Sequence, residues 1–403
     1  MRRCLSFIVC LMLAAVAAWS SGGAGAAPFH EGQFIFAPEP WHNHGSCIVE
    51  CPNGDLLACW FHGKGEKTDE VIIEGARRVK GAAGWGERFV MADTPNYPDH
   101  NPCMFVDPQQ RLWLLWPTLL ANQWGTAVMK YRISSSYQMR EGPPAWEWQD
   151  LIHVTPTNFE QQIEAALERY APQYGAMIES YGERFQRYVQ ALRERAGDRL
   201  QQRLGWMTRA HPTVLPSGRL IVPLYTDAFS VSIMAISDDW GQTWMTSEAL
   251  VGFGNIQPSV VRKNDGTLVA MMRENGRQRR IRTSESKDDG LTWSPVGNMA
   301  LPNPGSGLEV IRLANGHWAL IYNDTAEGRH SLAVSISDDE GETWRWTRHL
   351  ERCEPGQGSY AYPSLIQARD GMLHATYSYS VPNGSTIKHV TFNEDWVRHG
   401  NDG

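Results

Sequence analysis

An eight-residue segment occurs three times in this chain at nearly constant intervals, and that period constrains the fold more than any other feature. Ser237-Asp238-Asp239-Trp240-Gly241-Gln242-Thr243-Trp244 returns as Ser286-Lys287-Asp288-Asp289-Gly290-Leu291-Thr292-Trp293 and as Ser337-Asp338-Asp339-Glu340-Gly341-Glu342-Thr343-Trp344, with steps of 49 and 51 residues. The shared pattern is S-x-D-x-G-x-T-W, and repetition at one period marks a repeat architecture. The residue types suit a structural role. The Asp accepts hydrogen bonds from turn amides, the Gly permits φ > 0, and the Trp wedges between neighbouring units.

A second repeat lies between the boxes: a β-rich run, a turn holding Gly, Asp or Asn, then another β-rich run. Its six copies fall at 46–61, 101–117, 211–225, 257–273, 307–323 and 362–378. Tight turns between β-rich runs predict hairpins. Trp85, Trp146 and Trp396 continue the ladder of Trp244, Trp293 and Trp344 where the box itself has decayed. Four-stranded units of about 50 residues are the blades of a β-propeller. The fold predicted is all-β, a six-bladed propeller over 28–403. The 37 Gly, 23 Pro and 17 Trp agree with many tight turns and large wedging side chains.

One interval is too long. From the turn near Gln110 to Gly218 is 108 residues, and the surplus lies at 157–204. There Ile178, Tyr181, Phe185, Tyr188, Val189 and Leu192 recur at helical spacing, which predicts a helical insertion broken near Pro172. Its role is either a lid over the pocket or a dimerisation arm.

Residues 1–27 read as a cleaved secretory signal peptide: Arg2 and Arg3, an apolar run, then Ala24-Gly25-Ala26. The mature chain is expected to be secreted or periplasmic, without a membrane span. Cys47, Cys51, Cys59, Cys103 and Cys353 remain in it, an odd count with no metal or disulfide spacing, and they read as small apolar residues. The formal charge of −7 and the lack of a basic patch exclude a nucleic-acid partner. No P-loop, GxGxxG or HExxH occurs, so no nucleotide cofactor or zinc-protease chemistry is indicated. The run Arg277 to Arg282 reads as a solvated face.

In a propeller, the loops entering and leaving each innermost hairpin converge on one end of the central channel. The entering candidates are His42, His44, Asp99, His100, Arg209, His211, Asn255, Gln257, Ser306, Glu309, Tyr360 and Tyr362. The leaving candidates are His62, Glu66, Asp69, Thr118, Tyr225, Asp227, Arg273, Glu274, Asn323, Asp324 and Tyr377. Histidines crowd the entering loops, as acid–base chemistry near neutral pH would need. His42-x-His44 has no matching third ligand, so no metal is expected.

The three boxes resemble the Asp-box, or BNR, repeat of the sialidase superfamily, and the resemblance spans roughly 33–397. It implies a secreted glycosidase that is exo-acting on glycans bearing an acidic sugar, retaining, and without a cofactor. A tyrosine nucleophile, a first-blade carboxylate and arginines gripping the substrate carboxylate would carry the reaction. By position Tyr362 matches the nucleophile, Arg273 one arginine, and Asp69 the acid/base, with Glu66 the alternate. Arg209, Gln257, His100, His211, Asp227 and Glu309 complete the expected substrate-binding set, and His44 joins the catalytic candidates. The chain also departs from the family. Gln257 stands where a glutamate would assist the tyrosine, a Phe-Arg-Ile-Pro motif is missing, and no arginine lies near Gly305-Ser306-Gly307. Two other readings follow from these departures: a lyase on uronate-containing polysaccharide using a histidine with Tyr362, or a glycan-binding propeller without catalysis.

Overall fold

The six sequence repeats become the inner halves of six four-stranded antiparallel sheets in the structure, a computed structural model that describes residues 27–400. Blade 1 comprises His42–Glu50, Leu56–Gly63, Ile72–Arg78 and Phe89–Ala92. Blade 2 comprises Cys103–Val106, Leu112–Leu119, Ala127–Ser134 and Trp148–Leu151. Blade 3 comprises Thr213–Val214, Leu220–Thr226, Val231–Ser237 and Met245–Thr246, and blade 4 comprises Asn255–Arg262, Leu268–Glu274, Arg280–Ser286 and Gly297–Pro302. Blade 5 comprises Glu309–Arg312, Trp318–Tyr322, Ser331–Ser337 and Trp346–Arg352. Blade 6 takes Ser359–Gln367, Leu373–Val381 and Gly384–Phe392 from the C-terminal end and its outer strand, His30–Phe34, from the N-terminal end. That last pairing closes the ring, and no repeat in the sequence announces it. The architecture is the six-bladed β-propeller that the repeats predict. The expected leader lies, but for Ala27, outside the described residues, and no helix among these is long and apolar enough to cross a membrane.

Each cleft between blades is filled by one hydrophobic cluster, and each cluster takes one tryptophan of the ladder. Trp146 packs between blades 1 and 2, Trp244 between 2 and 3, and Trp293 between 3 and 4. Trp344 packs between 4 and 5, Trp396 between 5 and 6, and Trp85 between 6 and 1. Burial of these clusters drives ring closure, with five of the six tryptophans half-buried at their edges and Trp396 buried. Cys47, Cys51, Cys59 and Cys103 sit in the cleft between blades 1 and 2, and all five described cysteines carry free thiols.

The insertion folds as α1 (Phe159–Gly197) and α2 (Arg199–Arg203). The break within α1 falls at Gly182, at φ 43° and ψ −121°, and not near Pro172, which stays inside helical backbone. Glycine enters that region without a Cβ clash, which a reversal of direction requires. The two halves return on one another, with Arg193 on Glu164 at 2.5 Å. Of the apolar face expected from spacing, Leu192 is fully buried and Tyr188 exposed, and the side chains of Ile178, Tyr181 and Phe185 lie outside the described residues.

The boxes are turn locks. The Asp339 carboxylate accepts from Thr343 N–H at 2.8 Å, Thr343 Oγ1 at 2.6 Å and Ser337 Oγ at 2.8 Å, while Gly341 N–H donates to Ser337 Oγ at 2.8 Å. The Asp239 and Asp288 boxes repeat this set. Gly241, at φ 88°, also lies so close to Trp113 of blade 2 that an added Cβ would come within 2.9 Å of the indole. The box glycine thus serves both the turn and the fit against the preceding blade.

The Thr343 hydroxyl, followed by its amide, holds the Asp339 carboxyl below its ordinary 3.8. A lowered folded value means that this stabilisation is present above pH 3.8 and is lost as pH falls through the folded value. Asp339→Ala is expected to cost about 1–2 kcal/mol at neutral pH, read from urea unfolding, and the gap to the wild type should close as the pH drops below 3.8.

Candidate active site

The innermost strands of blades 1, 4 and 6 each carry a bulge where they meet the channel mouth. Pairing with the second strand breaks between His44 and Cys47, between Ile256 and Ser259, and between Ala361 and Ser364. The bulged residues take left-handed backbone: Gly45 at φ 66°, Gln257 at 53° and Tyr362 at 53°, with Asn101 of blade 2 at 40°. For bulky side chains this conformation is strained, and such strain collects at functional sites. Here it turns Gln257 and Tyr362 towards each other across the channel.

Tyr362 is the centre of the arrangement. Its hydroxyl accepts from Arg273 Nη1 at 2.7 Å and from Gln257 Nε2 at 3.2 Å. Three guanidiniums surround its ring, those of Arg209 from the approach to blade 3 at 5.2 Å, Arg329 from blade 5 at 5.4 Å and Arg273 from blade 4 at 5.9 Å. Arg209 also donates to Pro363 O at 2.9 Å, and Arg329 to Gly305 O at 2.8 Å. Arg329 was not read from the sequence. It stands in the loop leaving the second strand of blade 5, whereas Arg273 lies near the end of the second strand of blade 4, and it brings to Gly305 the third cation that the sequence lacks at that point. Reading the whole leaving loop, beyond Asn323 and Asp324, would have found it.

Several polar atoms here are buried without a partner: Arg209 Nε, Arg273 Nε and Gln257 Oε1. Buried polar groups are normally satisfied, so a cluster of orphans marks a place for a polar ligand. Gly307 keeps that place open, because a Cβ there would lie 3.0 Å from Gln257 Oε1 and within 4 Å of Tyr362 and Arg209. Behind it, Tyr225 Oη accepts from Gln257 at 3.2 Å and from Asn101 at 3.0 Å. His44 completes the wall, its ring 4.3 Å from that of Tyr362.

The carboxylates take different positions. Glu66 faces His42 at 3.9 Å, and its charge is felt by Arg329 and Asp227. Asp227 is half-buried beside Arg273, and burial pushes its carboxyl above the ordinary 3.8. Asp69 is exposed and accepts from Asn122 Nδ2 at 2.5 Å. His100 holds the loop that carries Glu66. Its Nδ1 lies 2.8 Å from Asp99 O and its Nε2 accepts from Lys67 N–H at 2.9 Å. That pattern defines a neutral imidazole, in keeping with the burial that lowers it to about 4.

His211 and Glu309 are joined to each other beneath Tyr362. Glu309 Oε1 lies 2.7 Å from His211 Nδ1 and accepts His211 N–H at 2.8 Å, while Oε2 accepts Leu365 N–H at 2.7 Å. His211 Nε2 faces Ile48 O at 2.9 Å. Both ring nitrogens meet acceptors, so the ring carries two protons and pairs with the carboxylate. Burial opposes the charge, but Cys47 and Glu309 outweigh it and hold the ring well above 6.5. Among the described residues no group of three or more His, Cys, Asp or Glu is placed to hold a metal ion.

The BNR repeat-like domain family matches residues 54–193 and 193–375. The anhydrosialidase of Macrobdella decora is 27% identical over 181 residues, which make up 40% of this chain and 23% of that protein's length. The fold is shared with the leech intramolecular trans-sialidase bound to 2,7-anhydro-Neu5Ac, at TM-score 0.65 and 14% identity over 91% of this chain and 71% of that one. It is shared equally with the NanB sialidase of Streptococcus pneumoniae, at TM-score 0.64 and 13% identity over the same 91% and 71%. A protein of unknown function from Dyadobacter fermentans aligns at TM-score 0.65 and 16% identity over 90% of this chain and 98% of that one.

Breaking a buried ion pair leaves an uncompensated charge. Glu309→Gln is expected to lower the unfolding free energy by about 3–5 kcal/mol, measured by guanidinium titration.

Proposed function

This chain belongs to the BNR repeat-like family of the sialidase superfamily, and from that premise we propose that it is an exported glycosidase acting on the non-reducing end of glycans that carry an acidic sugar, sialic acid or a relative of it. The convergence of Arg209, Arg273 and Arg329 on Tyr362 carries the proposal. Three cations around one polar recess match a carboxylate, which arginine forks bind through paired hydrogen bonds. A substrate held by that carboxylate has its anomeric carbon placed over the tyrosine hydroxyl, and holding the reactants together supplies much of the rate.

The reaction proposed is retaining. The Tyr362 oxygen forms a bond to the anomeric carbon as the bond to the leaving oxygen breaks, and a first-blade carboxyl group protonates that oxygen. Asp69 occupies the family's acid position by sequence, but Glu66 is the first-blade carboxylate turned towards His42 and Arg329, so the role is assigned to Glu66. Water then attacks the anomeric carbon, gives its proton to the same carboxylate, and releases Tyr362. Arg273 and Gln257, both donating to the tyrosine oxygen, stabilise the charge that develops there when it leaves.

The test is a product assay with fluorogenic sialosides and other acidic glycosides. Wild-type turnover is expected, with Tyr362→Phe reduced by more than about 10³-fold and Glu66→Gln by about 10²–10⁴-fold on poor leaving groups. Arg329→Ala should raise KM far more than it lowers kcat. Wild-type rates in Tyr362→Phe would remove the mechanism. Chromatography of the product separates sialic acid from the 2,7-anhydro form bound to the leech relative. Near-ultraviolet absorbance growing on uronate polysaccharides would replace hydrolysis by elimination.

A further inference from the structure

We infer that His44 is the catalytic base that takes the phenolic proton from Tyr362, and that the substrate's own carboxylate switches this base on. The inference rests on the glycosidase reading and names a group that the reading leaves open. A neutral phenol attacks only if something accepts its proton.

The side chains around Tyr362 leave few acceptors. Gln257 contacts its hydroxyl, but an amide is neutral in either orientation and holds no proton. Arg209, Arg273 and Arg329 are cations. Both oxygens of Glu309 are engaged by His211 and Leu365. Tyr225 already receives two N–H groups on its oxygen. Asp227 is the counter-charge of Arg273, and like His44 it makes no hydrogen bond to Tyr362 among the described residues. His44 combines contact with the Tyr362 ring and an imidazole that is not committed elsewhere. Its ring lies 4.3 Å from the Tyr362 ring, is braced by Phe61 at 5.6 Å and His42 at 5.3 Å, and has no hydrogen-bond partner among the described residues. It stands at the bulge of blade 1, beside the bulge of the neighbouring blade 6 that carries Tyr362. Proton transfer to it requires the imidazole and the hydroxyl to come within hydrogen-bond reach in the substrate complex, directly or across one water.

The charges around His44 explain the switch. They come from His42 on its own strand, Arg209 before blade 3, Arg273 on blade 4 and Arg329 after the second strand of blade 5, with the Tyr362 hydroxyl opposite on blade 6. Burial first, then the positive field of these groups, holds the ring well below its ordinary 6.5. In the free protein His44 is therefore neutral but a weak base. A bound carboxylate cancels the field of the three arginines, so His44 becomes more basic when an acidic sugar is in place. The steps balance. The Tyr362 proton passes to His44 as the glycosyl–oxygen bond forms, and it returns to the Tyr362 oxygen as water releases the sugar.

The experiment compares pH profiles and chemical rescue on an activated aryl sialoside. A base in its neutral form loses activity as pH falls through its pKa, and kcat reports the complex while kcat/KM reports the free protein. The acid limb of kcat is expected at higher pH than that of kcat/KM. His44→Ala should lose about 10²–10⁴-fold in kcat, with KM little changed and the acid limb abolished. Added imidazole should restore part of the rate, which also shows that the variant is folded. His44→Gln, closer in size, should be equally slow. Wild-type kcat in His44→Ala overturns the assignment, as does rescue of Asp227→Ala by formate with no rescue at position 44. If the wild type turns over no acidic glycoside, the glycosidase reading falls and the assignment with it; if the wild type is active and His44→Ala is unimpaired, only the assignment falls.

Discussion

The ion pair between His211 and Glu309 is the interaction on which the channel depends. Two side chains reach four blades: Glu309 belongs to blade 5, His211 enters blade 3, Ile48 O belongs to blade 1 and Leu365 N–H to blade 6. The inner strands that line the axis are largely buried. A charged pair there gives each participating blade a directional contact that apolar residues would not. Such pairs are costly to bury, and their best-attested use is to specify one arrangement over its rivals. The pair also sets the site. Leu365 follows Tyr362 by three residues, so the carboxylate that fixes the sixth inner strand fixes the tyrosine's depth in the channel.

Above that pair, the bulges do the work of aiming. A regular strand alternates its side chains between the two faces of the blade and sends none of them along the axis. An extra residue with left-handed backbone breaks the alternation and turns a side chain into the mouth. Tyr362 and Gln257 meet because blades 4 and 6 both use the device. Asn101, Gln257 and Tyr362 are each followed by proline, which has no N–H to lose where the ladder is interrupted. Blade 1 uses Gly45 at its bulge, and His44, just before it, reaches the tyrosine ring.

The fold was legible because its information is repeated. Six hairpins and six tryptophans each report the same packing problem, so the decay of the box in blades 1, 2 and 6 did not hide the period. The closing strand His30–Phe34 occurs once and has no such redundancy. The site was legible only as a set of strand ends. That rule placed His44, Gln257, Arg273 and Tyr362 in one group, yet it carries no information on depth. His211 and Glu309 were therefore grouped with substrate residues, although they bind each other, and His100 was grouped with them although it holds the Glu66 loop. Arg329 escaped because it sits well beyond its strand end, and the reach of a long side chain from a loop is not written in spacing.

The insertion shows how closely scaffold and site are joined. Phe159, Ile163, Leu192 and Ala196 share one buried cluster with Phe229, where the second strand of blade 3 turns back, and with Val251, between blades 3 and 4. Arg195 donates to Ala228 O at 2.8 Å, one residue after Asp227. Tyr170 reaches Val296 O at 3.1 Å and so ties the same helix to blade 4. The entropy of a free loop would blur the position of any carboxylate it carries. By packing on residues 228 and 229, the helical hairpin holds Asp227 beside Arg273. Whatever its outer part meets, its base is a buttress for the wall of the site. The surplus in the repeat period therefore falls beside a leaving loop that brings a half-buried carboxylate to Arg273.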